Sequence, residues 1–287
     1  MHIKLAAADK TDVGKQREQN EDRPYKRIES AEDGDRGLFI VADGMGGHKA
    51  GEVASRLAVE TINKNLDTFF KPIHDQPTVR IDRAMLRPQP SGAQPSPADT
   101  HRLSEATLAG AIENQLKNAV QQANQAIVRY GGQHSDARGL GSTVTALLIQ
   151  NDLAYIGNVG DSRTYILRGG TLTPITKDHS RVARLVEIKQ ITPEEAYTHP
   201  QRNLIYRSLG ADRSNVIVDV FHETVQPGDL FLLCSDGLWE MVRHEELERT
   251  MKMSASPQAI CDRLIEQANA GGGEDNITAI VVQVGAH

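Results

Sequence analysis

Apolar positions along this chain follow two rhythms. Over residues 50–70, Val53, Ala54, Leu57, Ala58, Thr61, Ile62 and Leu66 recur at three- and four-residue spacings, which predicts a helix with one buried face. A second helical pattern covers 104–130 through Leu108, Ile112, Leu116, Ala119, Val120, Ala123 and Ile127, and Gly131-Gly132 ends it. From Gly141 onward the pattern shortens to β-branched and apolar runs at 142–149, 153–159, 163–167, 216–221, 230–234 and 277–284. Asn151-Asp152, Gly169-Gly170 and Pro227-Gly228-Asp229 stand between them as turn signals, so the sheets are expected to be largely antiparallel. Residues 180–199 interrupt the strands with two short helical pieces, the second opening at Thr192-Pro193-Glu194-Glu195, where Thr caps and Pro takes the first turn. A last helix is predicted over 257–268.

Between the two long helices, residues 72–102 hold Pro72, Pro77, Pro88, Pro90, Pro95 and Pro97, too many for a continuous helix or an interior strand. They are expected to form an exposed, partly disordered loop inserted in a single domain spanning 1–287. The net charge of −6 and the lack of any long basic block argue against nucleic acid or an anionic membrane surface as the main partner. No stretch reads as a secretory signal or a membrane span. Two cysteines, Cys234 and Cys261, suggest a reducing compartment without a disulfide framework, and the cytoplasm is the expected location.

Two apolar runs far apart end alike. Phe39-Ile40-Val41-Ala42 leads into Asp43-Gly44, and Phe231-Leu232-Leu233-Cys234 leads into Ser235-Asp236-Gly237. A carboxylate at such a strand end sits where the backbone leaves the core and a site can open. Asn20-Glu21-Asp22 and Glu274-Asp275-Asn276 add two more acidic pairs, the latter just before a strand. If these groups converge, their repulsion requires a positive partner, and their all-oxygen chemistry suits Mg²⁺ or Mn²⁺. No Walker phosphate loop occurs.

In order along the chain stand Gly14-x-x-Arg17-x-x-Asn20-Glu21-Asp22, Val41-Ala42-Asp43-Gly44-Met45-Gly46-Gly47-His48, Gly141-Ser142-Thr143, Asn158-Val159-Gly160-Asp161-Ser162-Arg163, Cys234-Ser235-Asp236-Gly237-Leu238-Trp239 and Asp275-Asn276. This series resembles the type 2C metal-dependent serine/threonine protein phosphatases, in particular their bacterial branch. The resemblance implies an α+β fold, a four-layer α–β–β–α sandwich of two largely antiparallel sheets flanked by helices. It implies hydrolysis of phosphoserine and phosphothreonine by direct attack of a metal-bound water, with Mg²⁺ or Mn²⁺ as two tightly bound ions and a weaker third. Asp43 is then the bridging ligand, the Gly44 carbonyl serves one ion, Asp236 and Asp275 serve the other, and Glu21 and Asp22 act directly or through water. Asp161 helps to hold the third ion together with Asp236.

Arg17 is expected to bind the substrate phosphate through its bidentate fork, and its spacing from Glu21 would place both on one face of a strand. Residues 180–210 correspond to a flap subdomain concerned with substrate choice. The implied partners are phosphoproteins, themselves substrates of a serine/threonine kinase, acted on by a monomer. Met45 stands where the best-known eukaryotic members carry a His proposed as general acid, and a thioether cannot donate a proton. His48 is expected to face a helix or act indirectly, and His179 and His199 to be loop and flap residues. The main alternative is a non-catalytic module of the same fold that binds a signalling partner, which usually shows lost ligands; a two-metal nuclease lacks any basic or aromatic groove signal here.

Overall fold

The computed structural model describes residues 2–31, 34–46, 49–71, 97–134, 139–150, 152–211, 215–253 and 256–286, with backbone alone at 49 and 97–107. The chain opens with strands β1 (Ile3–Asp12), β2 (Arg23–Ala31), β3 (Gly34–Ala42) and the short β4 (Gly44–Met45). Two helices follow, α1 (Lys49–Leu66) and α2 (Pro97–Gln133). A strand series comes next: β5 (Gly141–Ser142), β6 (Val144–Gln150), β7 (Leu153–Val159), β8 (Arg163–Arg168) and β9 (Thr171–Pro174). Helices α3 (Arg181–Glu187) and α4 (Pro193–Ala196) precede β10 (Asp219–Thr224) and β11 (Leu230–Cys234). The chain closes with α5 (Asp236–Trp239), α6 (His244–Met251), α7 (Pro257–Ala270) and β12 (Ile277–Ala286).

Two five-stranded sheets result, in the orders β1-β12-β11-β8-β9 and β10-β7-β6-β3-β2, and every neighbouring pair is antiparallel. Because side chains alternate along a strand, each central strand serves two cores at once. On β3, Leu38, Ile40 and Ala42 meet Ile62, Leu66, Leu116 and Ile127 of α1 and α2, while Phe39 and Val41 turn to the other sheet. On β11, Phe231 and Leu233 join them between the sheets, while Leu232 and Cys234 face Ile260, Cys261 and Leu264 of α7. Three apolar layers thus separate four structural layers, as the resemblance implied. Each fully buried Leu, Ile or Phe contributes about 1.5–3 kcal/mol to holding them together.

The sequence pattern missed β1, β2 and α6. β2 is a charged strand at a sheet edge, Arg23, Lys26 and Glu29 among its residues, so it shows no apolar alternation. The strand expected at 216–221 lies instead at Asp219–Thr224, paired from Asp219↔Asn158 to Thr224↔Leu153. Val216 and Val218 are buried as loop residues in the helix-facing core, and His222, Glu223 and Thr224 carry the strand onward along an edge that tolerates polar side chains. Of the expected inserted loop at 72–102, residues 72–96 lie outside the described residues, while 97–102 are already helical. Pro97 opens α2, where its missing N–H is no loss. Within 180–210 both short helices form, and Thr192 and Glu195 complete the expected capping box. Among the described residues no helix is long and apolar enough to cross a membrane.

Candidate metal centre

Asp43 fills the one-residue break between β3 and β4. Its carbonyl accepts from the Thr143 N–H at 2.9 Å and the Ser142 hydroxyl at 3.0 Å, and its own N–H donates to the Thr143 hydroxyl at 3.3 Å. The backbone on either side is therefore fixed and the carboxylate has one direction left. Gly44 follows because nothing larger fits: a Cβ there would stand 2.2 Å from the Gly51 carbonyl oxygen and 2.6 Å from that of Glu21. A Cβ on Gly51 would in turn fall 2.0 Å from Oε2 of Glu21, so that carboxylate lies against the first turn of α1.

The second sheet supplies Asp236, first residue of α5 beyond β11, and Asp275, two residues before β12. Asn276 organises this side. Its N–H donates to Oδ1 of Asp275 at 2.8 Å, its Oδ1 accepts from the Glu21 N–H at 2.8 Å, and its Nδ2 donates to the carbonyls of Val13 at 3.0 Å and Gln19 at 2.9 Å. The loop carrying Arg17 and Glu21 is thereby tied to β12. Gly14 makes the approach possible at φ 79°, since a Cβ there would meet the Asp275 carbonyl oxygen at 2.3 Å. Ser235 links the sheets again, its hydroxyl donating to Oδ2 of Asp22 at 2.7 Å while accepting from the Thr278 N–H at 3.0 Å.

Asp161 follows β7, and its carbonyl accepts from the indole N–H of Trp239 at 3.0 Å. Arg163 stacks over that indole at 3.5 Å and donates to both oxygens of Asp178. His179, 2 % exposed, exchanges two bonds with Gly160: its N–H donates to the Gly160 carbonyl and its Nδ1 accepts from the Gly160 N–H, each at 2.9 Å. Its Nε2 lies 3.1 Å from Oδ2 of Asp219 and 2.8 Å from Nη1 of Arg207.

A cleft of about 630 Å³ opens at the edge between the sheets, lined by Arg17, Glu21, Asp43, Gly44, Asp161, Asp236 and Asp275. Asp22 is not on this wall. It sits behind Asp43, in contact with that carboxylate, and lines a separate recess of about 480 Å³. The expected shared strand face of Arg17 and Glu21 is also corrected: both lie in the irregular segment between β1 and β2, and Arg17 donates to Oδ2 of Asp275 at 2.6 Å. Met45 lines the cleft without a proton to give, and His48 lies outside the described residues.

The carboxylates crowd one another. Burial, then the charges of Asp22, Asp236, Asp161 and Asp275, push Asp43 well above the usual carboxylate range. Burial and the charges of Asp161 and Asp275 do the same to Asp236. Burial raises Asp161 to about 7, and raises Asp22 to about 7 despite the Ser235 bond. Among the described residues, Oδ1 of Asp22 and Oδ1 of Asp236 are buried with no donor. Orphaned carboxylate oxygens in a like-charged cluster fit the donor set of a divalent cation. Among the described residues no three acidic, histidine or cysteine side chains close into a complete cage.

Sequence reasoning quoted Asn276, Ser235 and Trp239 only as letters of a motif. Their roles depend on partners far away in the chain, and only the adjacency to Asp275 and Asp236 pointed to them.

Known proteins share the sequence and the fold of this chain. The protein phosphatase 2C family matches residues 15–272. The serine/threonine phosphatase stp of Listeria welshimeri is 36% identical over 275 residues, covering 96% of this chain and 94% of its own. The crystal structure of the Mycobacterium tuberculosis serine/threonine phosphatase PstP/Ppp has a TM-score of 0.74 at 35% identity, covering 98% of this chain and 99% of that one. The catalytic domain of PstP in complex with two manganese ions gives 0.75 at 33% identity, covering 99% of this chain and 100% of that one.

Proposed function

The chain belongs to the protein phosphatase 2C family, and on that premise we propose how its cleft works as that of a metal-dependent serine/threonine protein phosphatase. The observation that carries the assignment of the site is the pair of buried carboxylate oxygens without donors, on Asp22 and Asp236, flanking the raised carboxylate of Asp43. Divalent ions, when bound, supply the nucleophilic water and neutralise charge on the phosphoryl oxygens. Asp43, Asp236, Asp275 and the Gly44 carbonyl hold the tight pair, with Glu21 contributing from the α1 side. Asp22 acts from behind, where it braces Asp43 through its contact and is itself braced by Ser235. Asp161 and Asp236 hold a looser third ion. Mg²⁺ and Mn²⁺ both fit the oxygen donors.

Arg17 has two roles to choose between. Its present partner, Asp275, is also a proposed ligand, so an ion on Asp275 competes with the guanidinium for the same carboxylate. Arg17 released from that bond can present its fork to a substrate phosphate across the cleft. With Met45 in place of an acid, the leaving alkoxide takes its proton from solvent or from a group other than residue 45. Asn203 and Ile205 line the cleft from the 180–210 segment, which supports a flap that meets the residues flanking a phosphoserine or phosphothreonine. The substrates are phosphoproteins made by a serine/threonine kinase, met by a cytoplasmic monomer.

The test is phosphate release from a phosphothreonine peptide with Mn²⁺ and with EDTA. Release with Mn²⁺ that stops in EDTA and in Asp43→Asn supports the reading; equal rates in EDTA overturn it.

A further inference from the structure

A second cavity, about 640 Å³, lies beside the cleft between the 180–210 segment and the end of the β8 sheet, and the proposed chemistry does not use it. Its walls are aromatic, with Tyr165, Tyr197, Tyr206 and Trp239 facing the space and Val182 and Val186 of α3 closing it. Four carboxylates also line it, and each is already engaged. Asp178 pairs with Arg163 at 2.7 Å, Asp219 with Arg207 at 2.7 Å, Glu240 with Arg202 at 3.5 Å, and Glu187 with Arg184. Lys177 lines the same space, is exposed, and has no carboxylate partner among the described residues. The cavity therefore offers flat apolar walls and one surplus positive charge.

It is also wired to the cleft. Residues 202–207 form a partition: Arg202, Tyr206 and Arg207 line the cavity, whereas Asn203 and Ile205 line the cleft. Trp239 forms part of the cavity wall while its indole N–H holds the Asp161 carbonyl at 3.0 Å. A molecule lodged against Trp239 and Tyr206 would touch both of these connections to the cleft.

We propose that this cavity is a regulatory site for an aromatic organic anion, whose occupancy reaches the cleft through Trp239 and the 202–207 partition. Aromatic walls suit a planar ring system, and Lys177 suits a single carboxylate, sulfonate or phosphate on its edge. The binding claim stands independently of the phosphatase reading, whereas the effect on turnover rests on it.

Trp239 is the chain's only tryptophan, so all tryptophan emission comes from a residue of the cavity wall. The probe is 1-anilinonaphthalene-8-sulfonate, titrated into the full chain with and without Mn²⁺. The expected result is saturable one-to-one binding with energy transfer from Trp239. Lys177→Glu should weaken it about tenfold, as removal of one attractive charge and addition of a repulsive one require. Ala183→Phe, which fills the space from α3, should abolish it, and Met253→Ser, an exposed apolar residue outside both the cavity and the partition, should leave it unchanged. Saturating probe should alter phosphothreonine-peptide turnover at least twofold in the wild type and not in Ala183→Phe.

Non-saturable binding, or binding indifferent to both cavity variants, overturns the site, and saturable binding with unchanged turnover overturns its regulatory role. If Ala183→Phe does not fold, the surface variant Lys177→Glu decides the site. If the chain hydrolyses no phosphopeptide in Mn²⁺ without probe, the phosphatase reading has failed on its own. Coupling is then read from the Mn²⁺ affinity by calorimetry, where a twofold shift with probe supports it and none overturns it.

Discussion

The Arg17 guanidinium donates to Oδ2 of Asp275 at 2.6 Å, so the proposed phosphate clamp is bonded to a proposed metal ligand. Both side chains are substantially exposed, and the pair is worth little by itself. Arg17→Ala should raise KM for a phosphopeptide by roughly tenfold or more through loss of a charge-assisted contact. The same change removes a competitor for Asp275, so the metal affinity should rise slightly or hold, by at most a few-fold. Steady-state kinetics with calorimetric Mn²⁺ titration check this; an unchanged KM would make Arg17 a partner of Asp275 and nothing more.

Gly44→Ala tests the crowding of three backbones. The added methyl would need more than half an ångström of retreat from the Gly51 and Glu21 carbonyls, which are not the ends of flexible side chains. Stability should fall by about 1–3 kcal/mol, with turnover lost because the Gly44 carbonyl moves. Chemical denaturation reads the first effect and peptide turnover the second, and a variant of wild-type stability would contradict the geometry.

Asp161→Ala should separate the looser ion from the tight pair. Its carboxylate is shared only with Asp236, so most of that ion's shell would be water and its affinity low. Calorimetry should still find two tight Mn²⁺ ions and a nearly unchanged melting temperature, while turnover falls by an order of magnitude or more. Loss of a tight ion would place Asp161 in the primary centre.

His179 gives a pH signature. Burial holds its pKa below 6.5, as does the Arg207 charge, while the bond to Asp219 and the charges of Asp219 and Asp178 oppose this without prevailing. The folded chain thus prefers the neutral ring, and below about pH 6.5 the unfolded chain binds the proton first. This contribution is complete above pH 6.5 and is lost as pH falls toward the folded pKa. In metal-free protein, wild type should lose stability from pH 7 to pH 5 more steeply than His179→Gln, as followed by denaturant midpoints. Parallel slopes would remove His179 as the cause.

Much of this was written in the chain because a strand that ends in Asp-Gly announces itself locally. Asp43 and Asp236 are both found that way, and the helix periodicities of α1, α2 and α7 placed three of the outer elements. What escaped was whatever depends on a distant partner. Asn276 looks like any loop Asn until it reaches back to Val13, Gln19 and Glu21. β2 is recognisable only beside β3, which supplies its ladder. Asp22 carries the same motif as Glu21 but takes the opposite side of Asp43, because Ser235 and the backbone of the Asn20 turn hold it there.

The four aspartates that line the cleft divide evenly between the two sheets: Asp43 and Asp161 come from the ends of β3 and β7, Asp236 and Asp275 from the ends of β11 and β12. The gap between the sheets is therefore the setting of a caliper whose jaws are carboxylates, and Phe39 and Phe231 are among the buried residues that fill that gap. Ion affinity is then expected to depend on the oily interior as well as on the polar site. Phe39→Leu should cost on the order of 1–3 kcal/mol and also weaken Mn²⁺ binding, with the polar site untouched in sequence. Conversely, an ion gripped from both sides rivets the sheets together, so a melting temperature that climbs with Mn²⁺ should climb less once that spacer is trimmed.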